Sequence, residues 1–246
     1  MNSVMRMILK VMLNLIVPPR CPISGALVDE TGQLSSAVWN DIHFISSPYC
    51  KTCGTPFSAD MGADDDMVCA PCLEHPPQYD NARAGVVYDD ITRQLVLRYK
   101  HGDHLYLTRS FVPWIESGAS DVIALSDVII PVPLHWTRLM KRRYNQSALL
   151  ARDIAARHMK LYDPFLLKRV KATPPQGKRG VKDRYNNVKK AFFIPENKRI
   201  RLEGKTVLLI DDVMTSGATV NECAKTLKAH GAKAVYVAAI ARAVKQ

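Results

Sequence analysis

Two carboxylates stand side by side near the C-terminus, in a segment whose residue types suit a phosphorylated sugar. Residues 207–219 read VLLIDDVMTSGAT, so an apolar run leads into Asp211 and Asp212, and small, hydroxyl-rich residues follow. The free N–H groups at the start of a helix bind phosphate, while carboxylates accept hydrogen bonds from the vicinal hydroxyls of a sugar. The segment therefore predicts a site for a ribose 5-phosphate compound. The alternative is a strand capped by solvent-facing acids and a turn of small residues.

Four cysteines have the spacing of a metal site. Cys50 and Cys53 form one CxxC pair, and Cys69 and Cys72 form another after fifteen intervening residues. This pattern is typical of a zinc ribbon, in which two turns each present two thiolates to one tetrahedral ion. Four thiolates leave no open coordination position, so we expect a structural zinc. Reduced, unliganded cysteines or a redox-active pair are the alternative.

Positive charge is concentrated in the second half of the chain. The formal net charge is +11, and residues 168–205 contain thirteen Lys or Arg against three acids. Such a field attracts polyanions or phosphorylated small molecules, and charge alone does not distinguish between them.

From residue 81 onward, apolar strands alternate with amphipathic helices. This order predicts an α/β domain with a parallel sheet covered on both faces, whose ligands bind at the carboxyl ends of the strands. Residues 133–143 and 173–190 interrupt the alternation, are polar and basic, and are predicted to be loops that carry function.

The N-terminal segment is predicted to be a docking helix. Ile8, Val11, Met12 and Leu15 share one helical face, and two prolines end the apolar run short of a membrane span. Association with a membrane is the alternative. The predicted domains are a docking helix over 1–20, a zinc-ribbon-like module over 21–80 and an α/β domain over 81–246. Cysteines used for metal rather than disulfides favour a cytoplasmic protein.

The motifs together resemble a known family. LLIDDVMTSGAT is similar to the signature by which type I phosphoribosyltransferases bind phosphoribosyl pyrophosphate (PRPP). LRYKHGD, PVPLHWTRLMKRRYNQSALLA and TPPQGKRGVKDRYNNVKKAF resemble segments of the ComF (GntX-like) competence-protein family, so the resemblance covers nearly the whole chain.

Two positions depart from that family. Its members often have a further metal site, of which only Cys21 remains here, with Ser24, Ser35 and Val38 in place of the other cysteines. We therefore expect one zinc rather than two. Arg143 replaces a glycine that is common in the family, which puts the backbone turn at this position in doubt.

The resemblance implies a fold, a ligand and a reaction. It implies a type I phosphoribosyltransferase-like parallel sheet flanked by helices, behind a small N-terminal zinc-ribbon module. PRPP would bind with Mg²⁺, and a nitrogen nucleophile would displace pyrophosphate from C1. Asp211 and Asp212 would hold the ribose hydroxyls as catalytic residues, and residues 178–184 would close over the site as a lid. The residues expected to bind PRPP are Pro133, Leu134, Arg138, Lys182, Arg184, Val213, Met214, Thr215, Ser216, Gly217, Ala218 and Thr219.

No segment identifies an acceptor substrate, which keeps a second function open. The chain could be a non-catalytic adapter with a PRPP-binding fold, whose partner is single-stranded DNA or a DNA-uptake helicase, as the resemblance suggests. Tyr185 is the only aromatic residue within the basic segment 178–190, which makes a thin stacking platform for bases. The oligomeric state is not predicted.

Overall fold

The computed structural model describes residues 16–58, 66–101, 104–172 and 181–244, together with Met5, Met12, Asn14 and Asp64; for residues 181–184 it describes the backbone only. The docking helix predicted over residues 1–20 lies largely outside this range. Within the described residues, no helix combines the length and the apolar character needed to cross a membrane.

The described chain begins with short irregular segments and then alternates between strands and helices. Before the sheet come α1 (Ser36–Asn40) and α2 (Ala70–Glu74). The remaining elements are β1 (Asn81–Val87), α3 (Asp90–His101), a 3-10 turn (Leu105–Leu107), α4 (Thr108–Leu125), β2 (Val128–Pro131), α5 (Trp136–Arg142), α6 (Gln146–Arg157), β3 (Leu161–Tyr162), β4 (Lys168–Arg169), α7 (Val181–Val188), β5 (Phe192–Phe193), α8 (Glu196–Arg199), β6 (Thr206–Met214), α9 (Ala218–Lys228) and β7 (Ala234–Arg242).

Five parallel strands form the main sheet, in the order β1-β7-β6-β2-β3. Alternate residues of the central strand β6 enter different cores: Val207 and Leu209 pack on one face, Leu208 and Ile210 on the other. Because both faces are covered, the strand is apolar at successive positions. The predicted parallel sheet flanked by helices is confirmed.

Helices cover one face of the sheet, and a mixed layer covers the other. Buried residues of α3, α4 and α6 pack on the first face. Helix α4 approaches β1 closely, since a Cβ atom on Gly118 would lie 2.3 Å from the carbonyl oxygen of Ala84. On the second face, α9 packs with Cys50 and Cys53, so the cysteine module shares its core with the sheet.

The cysteine module also lies along the outer edge of β1. Phe44 forms an antiparallel bridge with Val86, and the N–H of Ile45 donates to the carbonyl oxygen of Gly85 at 2.9 Å. Further along the strand, the N–H of Ala82 donates to the carbonyl oxygen of Thr52 at 2.7 Å. These contacts give the edge strand hydrogen-bond partners on its open side.

The two segments predicted to be loops each contain a helix. Helix α5 occupies Trp136–Arg142 within the first, and α7 occupies Val181–Val188 within the second. His135 starts α5 because its Nδ1 atom accepts from the N–H of Thr137. Residues 173–180 lie outside the described range. The prediction that these segments are loops throughout was wrong.

Candidate functional site

The predicted phosphate loop connects the central strand to a helix. Strand β6 ends at Met214 and α9 begins at Ala218, with Gly217 in the left-handed conformation at φ 74° as the N-cap. Glycine takes this conformation without steric cost. The first N–H groups of α9 have no partner within the helix and suit an anion. The seven predicted residues surround a small cavity of about 40 Å³: Val213, Met214, Thr215, Ser216, Gly217, Ala218 and Thr219.

The two aspartates lie within β6 rather than after it, and they have different partners. Lys100 Nζ lies 2.9 Å from Asp212 Oδ1, in a pair whose side chains are 19% and 14% exposed. Ser147 Oγ donates to Asp211 Oδ1 at 3.3 Å, and the N–H of Asp212 donates to the same oxygen at 2.9 Å. Burial and the neighbouring Asp212 carboxylate raise the pKa of Asp211 to about 7, against the influence of Lys100. Asp212 is therefore the carboxylate that directly faces a cation.

A larger cavity of about 800 Å³ opens in front of the aspartates. Of the described side chains that line it, six are cationic and two, the aspartates, are acidic, which favours a ligand with several negative charges. The cations come from three separate parts of the fold, namely α3, α5 with its C-cap, and β4: Lys100, Arg138, Lys141, Arg142, Arg143 and Arg169.

The predicted ligands from the two basic segments differ in where they lie. Leu134 and Arg138 line the large cavity. Pro133 is buried and contributes no surface to it. Lys182 and Arg184 belong to α7, but their side chains lie outside the described part of the structure. On the same helix, the Tyr185 hydroxyl donates to the carbonyl oxygen of Ser216 at 3.3 Å, so α7 contacts the phosphate loop.

The segment 144–147 connects the parts of the fold that supply the cavity. The Tyr144 hydroxyl donates to the carbonyl oxygen of Tyr99 at 2.9 Å, and Gln146 Nε2 donates to that of Lys100 at 3.2 Å. Asn145 Nδ2 donates to the carbonyl oxygen of Val132 at 3.1 Å. Together with the hydrogen bond from Ser147 to Asp211, these bonds join the ends of α3, β2 and β6.

Arg143 keeps the turn that its identity put in doubt. It has φ 65° and ψ −17°, the left-handed conformation that a glycine would adopt most easily. Its N–H donates to the carbonyl oxygen of Leu139 at 2.7 Å and so closes the end of α5. A non-glycine residue in this conformation costs about 1 kcal/mol. Arg143 therefore carries some backbone strain, and its side chain is the sixth cation that lines the cavity.

The four predicted zinc ligands converge on one point. The Sγ atoms of Cys50, Cys53, Cys69 and Cys72 all lie within 4.8 Å of one another. In a tetrahedral site with Zn–S bonds of about 2.3 Å the sulfur atoms are roughly 3.8 Å apart, so these thiols fit one zinc ion. The N–H groups of Cys53 and Cys69 approach Cys50 Sγ at 3.4 and 3.3 Å, as expected for turns that present thiolates.

Cys21 lies beside Ser24 and Ser35, and the Oγ atoms of these two serines are 2.9 Å apart. Burial opposes ionisation of the Cys21 thiol, but hydrogen bonds from the Ser24 hydroxyl and from nearby backbone N–H groups lower its pKa to about 6. Among the described residues, only the group of Cys50, Cys53, Cys69 and Cys72 brings three or more potential metal ligands together.

Sequence reasoning missed several residues at the site. Lys100 lies in the motif LRYKHGD, but nothing local in the sequence indicates its contact with Asp212. Arg169 lines the cavity, and burial together with the charge of Arg138 lowers its pKa. Arg242, at the end of β7, donates to the carbonyl oxygens of Met214 and Thr215. A basic residue at the carboxyl end of a buried strand was the available signal, because such ends meet at the ligand site.

Two domain families match this chain. Residues 12–74 match the Double zinc ribbon domain, and residues 149–246 match the Phosphoribosyl transferase domain. The four-cysteine cluster and the parallel sheet are the structural counterparts of these two matches.

Individual proteins extend the similarity across both domains. Competence protein F of Haemophilus influenzae is 31% identical over 204 residues, which cover 80% of this chain and 86% of that protein. DNA utilization protein YhgH of Escherichia coli K12 is 27% identical, covering 78% of this chain and 83% of that protein. A solved orotate phosphoribosyltransferase from Aeropyrum pernix has 14% identity and a TM-score of 0.34, covering 64% of this chain and 78% of that one. By its identity to a competence protein over most of both chains, this chain belongs to the ComF family of competence proteins.

Proposed function

We propose that this protein binds PRPP with Mg²⁺ and transfers its phosphoribosyl group to a nitrogen acceptor, releasing pyrophosphate. One observation supports this most directly: a carboxylate pair, a phosphate loop and six cations adjoin the same space. PRPP carries a diol, a 5-phosphate and a pyrophosphate, which need these three kinds of group. We propose the cytoplasm as its location, since thiolate ligands persist in a reducing compartment.

In this proposal each part of the ligand has its own partners. Asp211 and Asp212 accept hydrogen bonds from the ribose hydroxyls, and the N–H groups of residues 215–219 bind the 5-phosphate. Arg138 and the neighbouring cations neutralise the pyrophosphate. Carboxylate oxygens are ligands that Mg²⁺ prefers, and the ion would supply further positive charge to the pyrophosphate oxygens.

The reaction would exchange one bond at C1 of the ribose. The bond from C1 to the pyrophosphate oxygen breaks, and pyrophosphate leaves with the electron pair. The lone pair of the acceptor nitrogen forms the new C1–N bond, and the nitrogen releases a proton to solvent. Because the transition state resembles an oxocarbenium ion, positioning and charge stabilisation account for most of the catalysis. A lid of residues 178–184, with Lys182 and Arg184, would exclude water from this step.

The ion pair between Lys100 and Asp212 gives the proposal a specific consequence. Lys100 Nζ contacts Asp212 Oδ1, an oxygen that would also accept from the ribose diol. In this proposal a ribose hydroxyl would displace the lysine from that oxygen, and the ammonium group would become available to the pyrophosphate. The ion pair keeps the carboxylate desolvated and oriented before the ligand arrives.

Calorimetry and pyrophosphate release test the proposal. Wild-type protein should bind PRPP in the presence of Mg²⁺ and release pyrophosphate with at least one member of a panel of amines and bases. Asp212→Asn should weaken PRPP binding at least tenfold, equal to about 1.4 kcal/mol. Asp153→Asn is the matched control, because this acid pairs with Arg152 outside the cavity. No binding of PRPP, or equal affinity in Asp212→Asn and wild type, would refute the proposed site.

A non-catalytic adapter for single-stranded DNA or a DNA-uptake helicase is the second candidate. Trp136 favours it, because this side chain is 67% exposed on α5, the helix that also carries the cavity cations Arg138, Lys141 and Arg142. An exposed indole among cations suits base stacking along a phosphate backbone. The names of the two relatives refer to competence and to DNA utilization.

One variant separates the two functions. If residues 178–184 form a lid, Lys182→Ala/Arg184→Ala should lose turnover or PRPP affinity and keep any DNA binding. If they contact DNA, the same variant should weaken single-strand binding and flatten its salt dependence by about 0.7 per lost phosphate contact. Protection of this segment from proteolysis by Mg²⁺-PRPP supports the lid. Protection by an oligonucleotide alone supports the adapter.

A further inference from the structure

Arg242 holds the first peptides of the phosphate loop. It is the last residue of β7 and is the register partner of Met214 on β6. Its Nη1 atom donates to the carbonyl oxygen of Met214 at 3.1 Å and also to that of Thr215. In a trans peptide the C=O and the following N–H point in opposite directions. By holding these two carbonyls, Arg242 makes the N–H groups of Thr215 and Ser216 point away from itself.

The same guanidinium reaches the zinc site through one hydroxyl group. Arg242 Nε donates to Thr55 Oγ1 at 3.3 Å, and Thr55 Oγ1 lies 3.1 Å from Cys53 Sγ. A thiolate bound to zinc offers only lone pairs, so the Thr55 hydroxyl donates to sulfur and accepts from Arg242. The Thr55 backbone is held as well, because its carbonyl oxygen accepts from the N–H of Cys50 at 2.8 Å.

The cysteine module contacts the far end of the loop too. A Cβ atom on Gly217 would lie 3.6 Å from the Tyr79 hydroxyl oxygen, so the aromatic ring packs beside the N-cap of α9. The N–H of Gln78 donates to Asn221 Oδ1 at 2.7 Å on the first turn of the same helix. The phosphate loop thus has supports from the module at both ends.

We infer that Thr55 and Arg242 are positioning residues, through which the zinc-bound module holds the phosphate loop in the shape that receives a phosphate group. The inference rests on the proposed function for the identity of the ligand, but the connection from sulfur to loop stands on the contacts alone. A zinc ion at the four cysteines would then have a second role, because it would hold Cys53 in place. Cys53 Sγ contacts the Thr55 hydroxyl, and Thr55 accepts from the Arg242 guanidinium that holds the loop carbonyls.

A pair of substitutions at Thr55 isolates this connection. Thr55→Val keeps the size and branching of the side chain but removes the hydroxyl group. Thr55→Ser keeps the hydroxyl group and removes a methyl group. Thr226→Val is the matched control, because its hydroxyl also donates to a single acceptor, the carbonyl oxygen of Glu222, within α9. Arg242→Lys keeps the positive charge but has no planar fork to join three acceptors.

Two measurements on the full-length, zinc-loaded chain test the inference. Hydrogen exchange of the amides of residues 215–218 reports the order of the loop without any ligand. Calorimetry with Mg²⁺-PRPP measures the affinity of the same loop for its proposed ligand. Thr55→Val should retain one zinc per chain, speed exchange at these amides and bind PRPP about tenfold more weakly, a change of about 1.4 kcal/mol. Such a loss is of the size expected for one hydrogen bond to a charged group. Thr55→Ser and Thr226→Val should behave as wild type.

The outcomes separate this inference from the proposed function. If wild type binds no PRPP, the proposed function fails, and exchange alone decides the inference. If Thr55→Val and Thr55→Ser exchange equally slowly, the inference is overturned whatever PRPP does. If Thr55→Val loses its zinc, Arg242→Lys decides, because among the described residues Arg242 donates to Thr55, Met214 and Thr215 and to no cysteine. Faster loop exchange in that variant with zinc retained supports the connection, and unchanged exchange overturns it.

Discussion

The ion pair between Lys100 and Asp212 should couple these two residues strongly. Its atoms are 2.9 Å apart, and the side chains are 19% and 14% exposed. At an effective dielectric constant of about 20, two unit charges at this distance attract by roughly 6 kcal/mol. Desolvation of two mostly buried charges offsets most of that attraction. We therefore expect a net coupling energy of about 2 kcal/mol, well above the median for an exposed pair.

The two single substitutions should differ in cost. Lys100→Met leaves Asp211 and Asp212 adjacent without the nearest cation, and should lower the free energy of unfolding by about 3 kcal/mol. Asp212→Asn leaves Lys100 with Asp211, whose pKa the lysine already lowers, and should cost only about 1 kcal/mol. The double variant should cost about 2 kcal/mol less than the sum, because the second substitution removes a charge that the first left unpaired.

Urea unfolding at pH 7.5 with zinc in excess measures all four proteins of this cycle. Lys141→Met serves as a control, since it removes another cation that lines the cavity without breaking the pair with Asp212. It should change the free energy of unfolding by less than about 0.5 kcal/mol. Additivity of the two single effects to within about 0.5 kcal/mol would show that the pair contributes nothing, and would refute the reasoning.

Three further predictions concern the metal, the buried carboxyl and the helix packing. Elemental analysis of the purified protein should find one zinc per chain, lost in Cys53→Ser and retained in Cys21→Ser. A wild-type stoichiometry near zero or near two would contradict the assignment. Burial and the Asp212 carboxylate raise the pKa of Asp211 from 3.8 to about 7. Between these two pH values the folded protein binds a proton at Asp211 that the unfolded chain has lost, so the free energy of unfolding falls as the pH rises. The free energy of unfolding of Asp211→Asn, taken relative to wild type, should therefore rise by roughly 2.5 kcal/mol from pH 5 to pH 8 in urea titrations, and no change in this difference would count against a buried carboxyl. Gly118→Ala places a Cβ atom 2.3 Å from the Ala84 carbonyl oxygen and should lower the free energy of unfolding by about 3 kcal/mol, while an unchanged midpoint would contradict this close packing.

The sequence predicts the parts of the site that are local in the chain. The two aspartates, the phosphate loop and the helix after it occupy consecutive residues, and two CxxC pairs define a metal site by spacing alone. The partners Lys100 and Ser147 could not be found in this way, since they meet the aspartates only after α3 and α6 have packed on the sheet. The number of residues between them and the aspartates does not predict these contacts, because the contacts depend on strand register and helix packing.

Local composition also misled the secondary-structure prediction. Residues 133–143 contain proline and a cluster of cations, which favours a loop, yet α5 forms there with His135 as its N-cap. Arg143 then ends the helix in a conformation that its residue type disfavours. The surrounding contacts of residues 144–147 impose that turn. Tertiary structure here overrides intrinsic preference.

The cysteine module also protects the edge of the sheet from pairing with other molecules. Strand β1 is at one end of the sheet, and on its outer side it pairs only with module residues, such as Phe44 with Val86, among the residues described. An uncovered strand of this kind presents unpaired N–H and C=O groups that template the addition of a strand from another molecule. Zinc loss would therefore first appear as concentration-dependent self-association rather than as simple unfolding. Zinc held by the four cysteines would therefore also protect this protein against aggregation.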